Sequence, residues 1–465
     1  MTARFMVSAA HKSSGKTTLS IGLCAALRGR GLAVQPFKKG PDFIDPMWLT
    51  RASGRACRNL DFYLMGHGEI RDSFELHARD ADVALVEGNK GLYDGLHLDG
   101  SNSNAALAKL LNIPVVLVLD TRGTIRGVAP LLLGYQAFDK DIRIAGVILN
   151  QVGGERHESK LRAVVAEYTD IPVLGAVQHD VAMNIEERHL GLMPSNESGE
   201  AQVQIAAIAA AINSQVDLDQ LLACTESGQS LALPAAAPAD KPTRYRIGVA
   251  QDRAFGFYYA DDLDALKAGG AEIVPIDTLQ DEHLPDRLDG LVIGGGFPEM
   301  FMPELEANAP LRQQIHQAIE AGLPVYAECG GLMYLARSMQ WKDRPYQMVG
   351  AIPGDIHMHD KPMGRGYVRL KETGSGPWQE SPVDDIPAHE FHYSSLDNLP
   401  ADLIYAYEVK RGHGVDGRHD GIVHKNLLAS YTHLRSTRNF SWVQRFLSLV
   451  ARHASLQPNR RQNAA

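Results

Sequence analysis

Two short stretches combine residue types and spacings that do chemistry. The first is "SAAHKSSGKTTLS", residues 8–20. Gly15, Lys16 and Thr17 match the end of the pattern G-x-x-x-x-G-K-[ST], although Ala10 stands where the opening glycine belongs. Such a loop turns backbone N–H groups and a helix N-terminus toward phosphate. Lys16 would reach the β and γ oxygens, and the Thr17 hydroxyl would ligate Mg²⁺. Thr18 follows on the same turn. Without a ligand these residues read as a hydroxyl-capped helix start; Ala10 says only that the opening turn needs no positive φ. The second stretch is "PVYAECGGLMYL", in which Cys329 ends an apolar run and precedes Gly-Gly. A strand, a tight turn and a helix would expose the sulfur, and the helix N-terminus would favour its thiolate. "LVIGGGFPE" (291–299) supplies N–H groups for an oxyanion, and His433 in "ASYTHL" is a candidate base. His389 and His392 in "HEFHYS" are read as structural or substrate-side.

Acids cluster where strands should end. "FKKGPDFIDP" (37–46) carries Asp42 and Asp45, and "VEGNKGLYDG" (86–95) carries Glu87 and Asp94. Ligands of a doubly wound sheet sit beyond the carboxyl ends of its strands. Mg²⁺ takes one or two carboxylates there while bridging phosphates. Thr17, Asp45 and Glu87 are therefore the candidate metal ligands.

The elements that must position these residues are legible as alternating runs. "RFMVSAA" reads as a buried strand, and "KTTLSIGLCAALRGRG" as a helix stopping at Gly31. "VALVEG", "IPVVLVLD", "RIAGVILNQV" and "IPVLGAV" are further strands with helical stretches between them, and 199–223 reads as a closing helix. The pattern predicts an α/β unit over 1–223 with a mainly parallel sheet covered on both faces. "ESGQSLALPAAAPADKPT" breaks the periodicity, placing a linker at 224–243. A second α/β unit covers 244–453, and a polar, disordered tail covers 454–465.

Composition bounds the function. The 465 residues are 45% hydrophobic and 22% charged, with net charge −9. Dispersed positive charge argues against nucleic-acid and membrane-surface roles. No apolar run is long enough to span a membrane. Four cysteines without paired spacing fit free thiols in the cytoplasm.

Motif order carries a more specific resemblance. Cys-Gly-Gly, the GGG loop and "ASYTHL" resemble a class I glutamine amidotransferase domain of the cobyric-acid-synthase type, with a flavodoxin-like fold. Together with "FKKGPDFIDP", "RNLDFYLM", "VEGNKGLYDG", "ERHLGL" and "QDRAFGFYYADDLDAL", they resemble the cobyrinic acid a,c-diamide synthase family over residues 4–450. The first unit is similar to P-loop ATPases of the dethiobiotin-synthetase type. The resemblance implies ATP- and glutamine-dependent amidation of the a- and c-acetates of a corrinoid, through an acyl phosphate. It implies Cys329 as nucleophile and His433 as proton shuttle, with N–H groups near Gly295, Gly296 and Gly330 holding the oxyanion. ATP would use Gly15, Lys16, Thr17, Thr18 and Lys38, with Asn150 reading the base and Asp94 near the reacting carboxylate. A homodimer is compatible with it.

Two departures stand out. His11 occupies the position of the signature lysine of partitioning ATPases, and Arg435 stands where amidotransferases commonly carry Glu after the catalytic His. The first argues against a nucleotide-switch ATPase. The second leaves open what orients His433. A sibling enzyme amidating another acetate-bearing tetrapyrrole, sirohaem or a metal sirohydrochlorin, is the nearer alternative.

Overall fold

The computed structural model describes residues 2–188, 191–197, 199–227, 242–342, 344–378 and 380–456. The chain divides into two compact units, Met1–Ala236 and Ala237–Ala465.

In the first unit, β1 (Thr2–Ala9) leads through the phosphate loop into α1 (Lys16–Gly29). The remaining parallel strands of its main sheet are β2 (Val34–Lys39), β3 (Arg58–Leu60), β4 (Val83–Gly91), β5 (Val115–Asp120), β6 (Ile144–Val152) and β7 (Val173–Gln178). Their spatial order is β3-β2-β4-β1-β5-β6-β7, and every neighbouring pair is parallel. The central strands are near-continuous apolar runs because helices cover both faces. All loops after the strands therefore open at one edge. β1 lies at the middle of the order, where the connections reverse direction, so the phosphate loop falls at the expected crevice.

Three boundaries differ from expectation. α1 ends at Gly29, and Gly31 takes φ +85° with its N–H on the Arg28 carbonyl. The single closing helix is two, Ala201–Gln215 and Leu218–Thr225. Between them Val216 is extended and bridges Gly175, while the Asp217 carboxylate caps the second helix at the Gln220 N–H. Ordered structure also continues past 223, since Glu226 and Ser227 pair antiparallel with Ala3 and Thr2. Residues 228–241 of the expected linker and 457–465 of the expected tail lie outside the described residues, and the last helix, Trp442–Ser455, covers the tail's first two positions.

The second unit holds a nine-stranded mixed sheet. Five strands run parallel, in the order 271–276, 245–250, 290–293, 325–328, 427–430. Four antiparallel strands extend it through 419–424, 404–411, 364–372 and 386–392. The parallel half is the expected flavodoxin-like arrangement. The antiparallel half matters for the site, because it brings His389 beside His433 across an isolated bridge.

Candidate active sites in the two units

The carboxyl ends of β1, β2 and β4 gather one cluster. Thr17 Oγ1 donates to Glu87 Oε1 at 2.7 Å and to Asp45 Oδ2 at 3.2 Å. Lys38 Nζ donates to Glu87 Oε1 at 2.8 Å and to Asp45, and lies 3.7 Å from Asp42. Glu87 is fully buried, and its Oε2 has no hydrogen-bond partner among the described residues. Burial pushes its carboxyl up against the opposing pull of Lys38. For Lys38, burial acts downward, but Asp45 and Glu87 outweigh it and hold the ammonium well above the usual lysine range. Lys16 is held lower than usual by burial, with Glu87 opposing; its Nζ lies 3.5 Å from the His11 carbonyl.

A cavity of about 740 Å³ opens over this cluster, lined by Gly15, Lys16, Thr17, Thr18, Lys38, Asp45 and Glu87 among others. The hard oxygen donors of Thr17, Asp45 and Glu87, with one carboxylate oxygen orphaned, suit a divalent cation beside phosphates. Gly15 has φ +87°, and a Cβ there would come 2.2 Å from Asn150 Nδ2, so only glycine fits.

Two expected residues sit differently. Asn150 is buried beneath the loop, where its Nδ2 donates to the Ser14 carbonyl at 2.9 Å. Its side chain therefore braces the loop, and its neighbour Gln151, at φ +60°, is the one that lines the cavity. Asp94 is exposed, with Oδ2 accepting the Gly91 N–H at 3.2 Å, and does not line the cavity. It stays within electrostatic reach of Lys16.

In the second unit the Val325–Glu328 strand delivers Cys329, which adopts φ +48°, ψ −104°. That is strained for a non-glycine residue and marks a nucleophile elbow. The turn is held because Cys329 N–H donates to the Ser430 carbonyl at 2.7 Å, on the adjacent parallel strand. Three residues beyond Ser430, His433 reaches the thiol. The Gly-rich loop packs from the other side: a Cβ on Gly295 would come 2.6 Å from His433 Cε1, and one on Gly330 would come 3.1 Å from the Gly296 nitrogen. The three glycines assigned to the oxyanion are thus adjacent. Burial opposes charge on His433, but the hydrogen bond to Cys329 and the charge there, followed by Glu328, push it up to about 10. This favours the imidazolium form of His433 beside the Cys329 sulfur.

His389 stacks on His433, with centroids 4.8 Å apart and planes at 15°. Burial, with the neighbouring His433 and Arg435, holds His389 well below the usual histidine range, so it packs neutral. His392 faces elsewhere, stacked on Tyr431 at 3.9 Å, with Nδ1 on the Ser394 carbonyl at 2.9 Å. Arg435 binds Asp261 at 2.6 Å and lies over the Tyr259 ring.

Comparison with known proteins agrees with this pair of sites. Residues 6–192 match the CobQ/CobB/MinD/ParA nucleotide-binding domain model, and 246–439 match the CobB/CobQ-like glutamine amidotransferase domain model. A cobyrinate a,c-diamide synthase of Magnetococcus marinus is 47% identical over 450 residues, 95% of each chain. One from Methanosarcina acetivorans is 42% identical, covering 93% of this chain and 92% of the relative. One from Archaeoglobus fulgidus is 39% identical over 96% of each. The chain belongs to the cobyrinate a,c-diamide synthase family. It is an ATP-dependent, glutamine-hydrolysing amide ligase by that membership, which removes the nucleotide-switch reading. No helix among the described residues is long and apolar enough to cross a membrane.

Several residues that shape these family sites escaped the sequence reading. Arg122 and Asn184 line the phosphate cavity from loops with no motif around them, and Gln151 lines it from the carboxyl end of β6, next to Asn150. Residues 189 and 190 of "ERHLGL" lie outside the described residues, while Leu192 lines the cavity. In the second unit Glu328, directly before the thiol, carries a carboxylate 3.4 Å from His433 Nδ1. Its position inside "AECGG" was the available signal.

Proposed function

We propose that this chain converts the a- and c-acetate carboxylates of cobyrinic acid to amides, using ATP and glutamine, as a step of cobalamin synthesis. The observation that carries the reading is one chain holding both a thiol–imidazole site and a phosphate cavity, in a family whose curated relatives bear that name over nearly their full length.

In the second unit Cys329 Sγ attacks the glutamine side-chain amide carbon. N–H groups of Gly295, Gly296 and Gly330 receive the developing oxyanion. His433 gives its proton to the departing ammonia, leaving a thioester. It then takes a proton from water, which cleaves the thioester to glutamate. In the first unit a carboxylate does not condense with ammonia directly, because hydroxide leaves badly. Transfer of the ATP γ-phosphoryl group to the carboxylate oxygen makes phosphate the leaving group. Lys16 and Lys38 supply ammonium charge beside the transferring phosphoryl. Thr17, Asp45 and Glu87 would hold Mg²⁺, which when bound neutralises charge on the phosphates. Asp94, within electrostatic reach of Lys16, is assigned to the reacting carboxylate. The free thiols fit a reducing compartment, and we place the reaction in the cytoplasm.

The test is incubation of the full chain with cobyrinic acid, ATP, Mg²⁺ and amide-¹⁵N-glutamine, followed by mass spectrometry. The expected product is the ¹⁵N₂ diamide. With ¹⁸O in the substrate carboxylates, the label should appear in inorganic phosphate. Amidation of sirohydrochlorin in preference to cobyrinic acid would replace the substrate assignment, and phosphate free of ¹⁸O would overturn the acyl phosphate.

A further inference from the structure

The amidotransferase reading leaves His433 without the acid that usually follows it, since that position is Arg435. Arg435 cannot substitute. It carries the wrong charge, and its guanidinium is turned to Asp261 and the Tyr259 ring. A ring that must take a proton from sulfur and return it to a leaving amine needs a defined tautomer and orientation.

The geometry points to Glu328 as the residue that positions His433, its Oε2 receiving the Nδ1–H so that the other ring nitrogen faces the thiol. This inference rests on the amidotransferase reading above. Glu328 ends the strand immediately before the elbow, so backbone geometry fixes it relative to the thiol. One of its oxygens is already committed: Oε1 accepts the Leu434 N–H at 2.8 Å and the Tyr326 hydroxyl. Tyr326 is in turn buried and stacked on Trp442, with centroids 4.2 Å apart. The carboxylate is thereby held by Tyr326 of its own strand and by the backbone directly after His433, and its second oxygen lies 3.4 Å from His433 Nδ1. Catalytic hydrogen bonds are commonly long in ligand-free sites and tighten when substrate binds. On the ring's face the neutral His389 packs in near-parallel stacking, which prevents rotation. The charged and titratable groups facing the imidazole are therefore Cys329, Glu328, His389 and Arg435. Of these, only Cys329 and Glu328 favour the imidazolium. The carboxylate has moved from after the histidine to before the nucleophile, and the arginine has taken up a structural pairing in the vacated place.

The test compares wild type, Glu328→Gln, Glu328→Asp and Cys329→Ala in glutamine hydrolysis across pH, with thermal unfolding of each. Glu328→Gln keeps an acceptor for Leu434 and Tyr326 but presents a donor or an uncharged oxygen to Nδ1. The expected loss is on the order of 10²-fold or more in kcat, with KM nearly unchanged. The alkaline limb of the remaining rate should move to lower pH, because the imidazolium loses one of its two supports. Glu328→Asp should recover part of the rate and part of the pH shift. Near-wild-type kcat and an unmoved alkaline limb in Glu328→Gln would overturn the assignment, provided Cys329→Ala is inactive. If Cys329→Ala itself hydrolyses glutamine, the amidotransferase reading fails instead. If Glu328→Gln unfolds, Glu328→Asp decides, and a folded Asp variant with wild-type rate and pH profile refutes the positioning role.

Discussion

Lys38 offers the sharpest energetic test of the phosphate site. Its ammonium is almost completely buried and is the cation shared by Asp45, the fully buried Glu87 and, at 3.7 Å, Asp42. Lys38→Met keeps the stem's packing and deletes the charge. Removing one partner of a buried ion pair costs about 3–5 kcal/mol, because the charge left behind is uncompensated. For a unit of this size, 1 kcal/mol corresponds to roughly 2–4 °C, so the transition of the first unit should fall by roughly 6–20 °C. The pH dependence has a fixed sign. The folded pKa of Lys38 lies above its unfolded value, so its contribution is complete below about 10.4 and fades only as pH rises through the higher folded value. At neutral pH the whole loss is therefore visible by calorimetry. Mg²⁺ should stabilise Lys38→Met more than wild type, since the metal then meets carboxylates with no competing ammonium. Adding Glu87→Gln to Lys38→Met should restore part of the loss. A Lys38→Met protein that melts with wild type at neutral pH would show that Lys38 does not neutralise the acids.

Three further outcomes are expected. Cys329→Ala should abolish glutamine-dependent amidation while free ammonia still supports it, measured as diamide formed with each donor; equal loss with both would place Cys329 in folding or in the ATP step. The same variant should lower the His433 pKa from about 10, because the sulfur is the first of the groups that raise it; proton NMR of the ring follows this, and in wild type the associated stability is complete below about 6.5 and is lost as pH rises through about 10. Lys16→Ala should reduce amidation with either nitrogen donor by on the order of 10²-fold or more while glutamine hydrolysis persists, and near-wild-type turnover would remove Lys16 from phosphoryl transfer.

What the sequence disclosed and what it withheld divide along a physical line. Lys16, Thr17, Asp45, Glu87 and Cys329 were legible because each sits where an apolar run ends, and parallel strands put such ends at one edge of a sheet. Gly295, Gly296 and Gly330 were legible because close backbone approach leaves glycine as the one residue that fits. Asn150 marks the limit of the sequence signal, because a strand-end amide can turn either outward to a base or inward to a loop. Here its Nδ2 donates to the Ser14 carbonyl, and Gly15 packs against it. Nothing in local spacing separates these choices. The antiparallel half of the second sheet was missed because strands such as 404–411 and 419–424 show neither a long apolar run nor a strict alternation, and turn-rich connections separate them.

Glu328 shows the same limit at its most instructive. A search for the acid that serves His433 looks after the histidine, and finds Arg435. The acid lies 105 positions earlier in the chain (433 − 328), yet the parallel pairing of Val325–Glu328 with Leu427–Ser430 places the two side by side. The register has a further consequence. Glu328 pairs with Ser430, and the Cys329 N–H reaches the Ser430 carbonyl, so Cys329, His433 and Glu328 all hang on one strand pair. A slip in that pairing would displace the three groups together. Functional precision in this site therefore derives from strand register, which is a property of two distant segments and is absent from either one read alone.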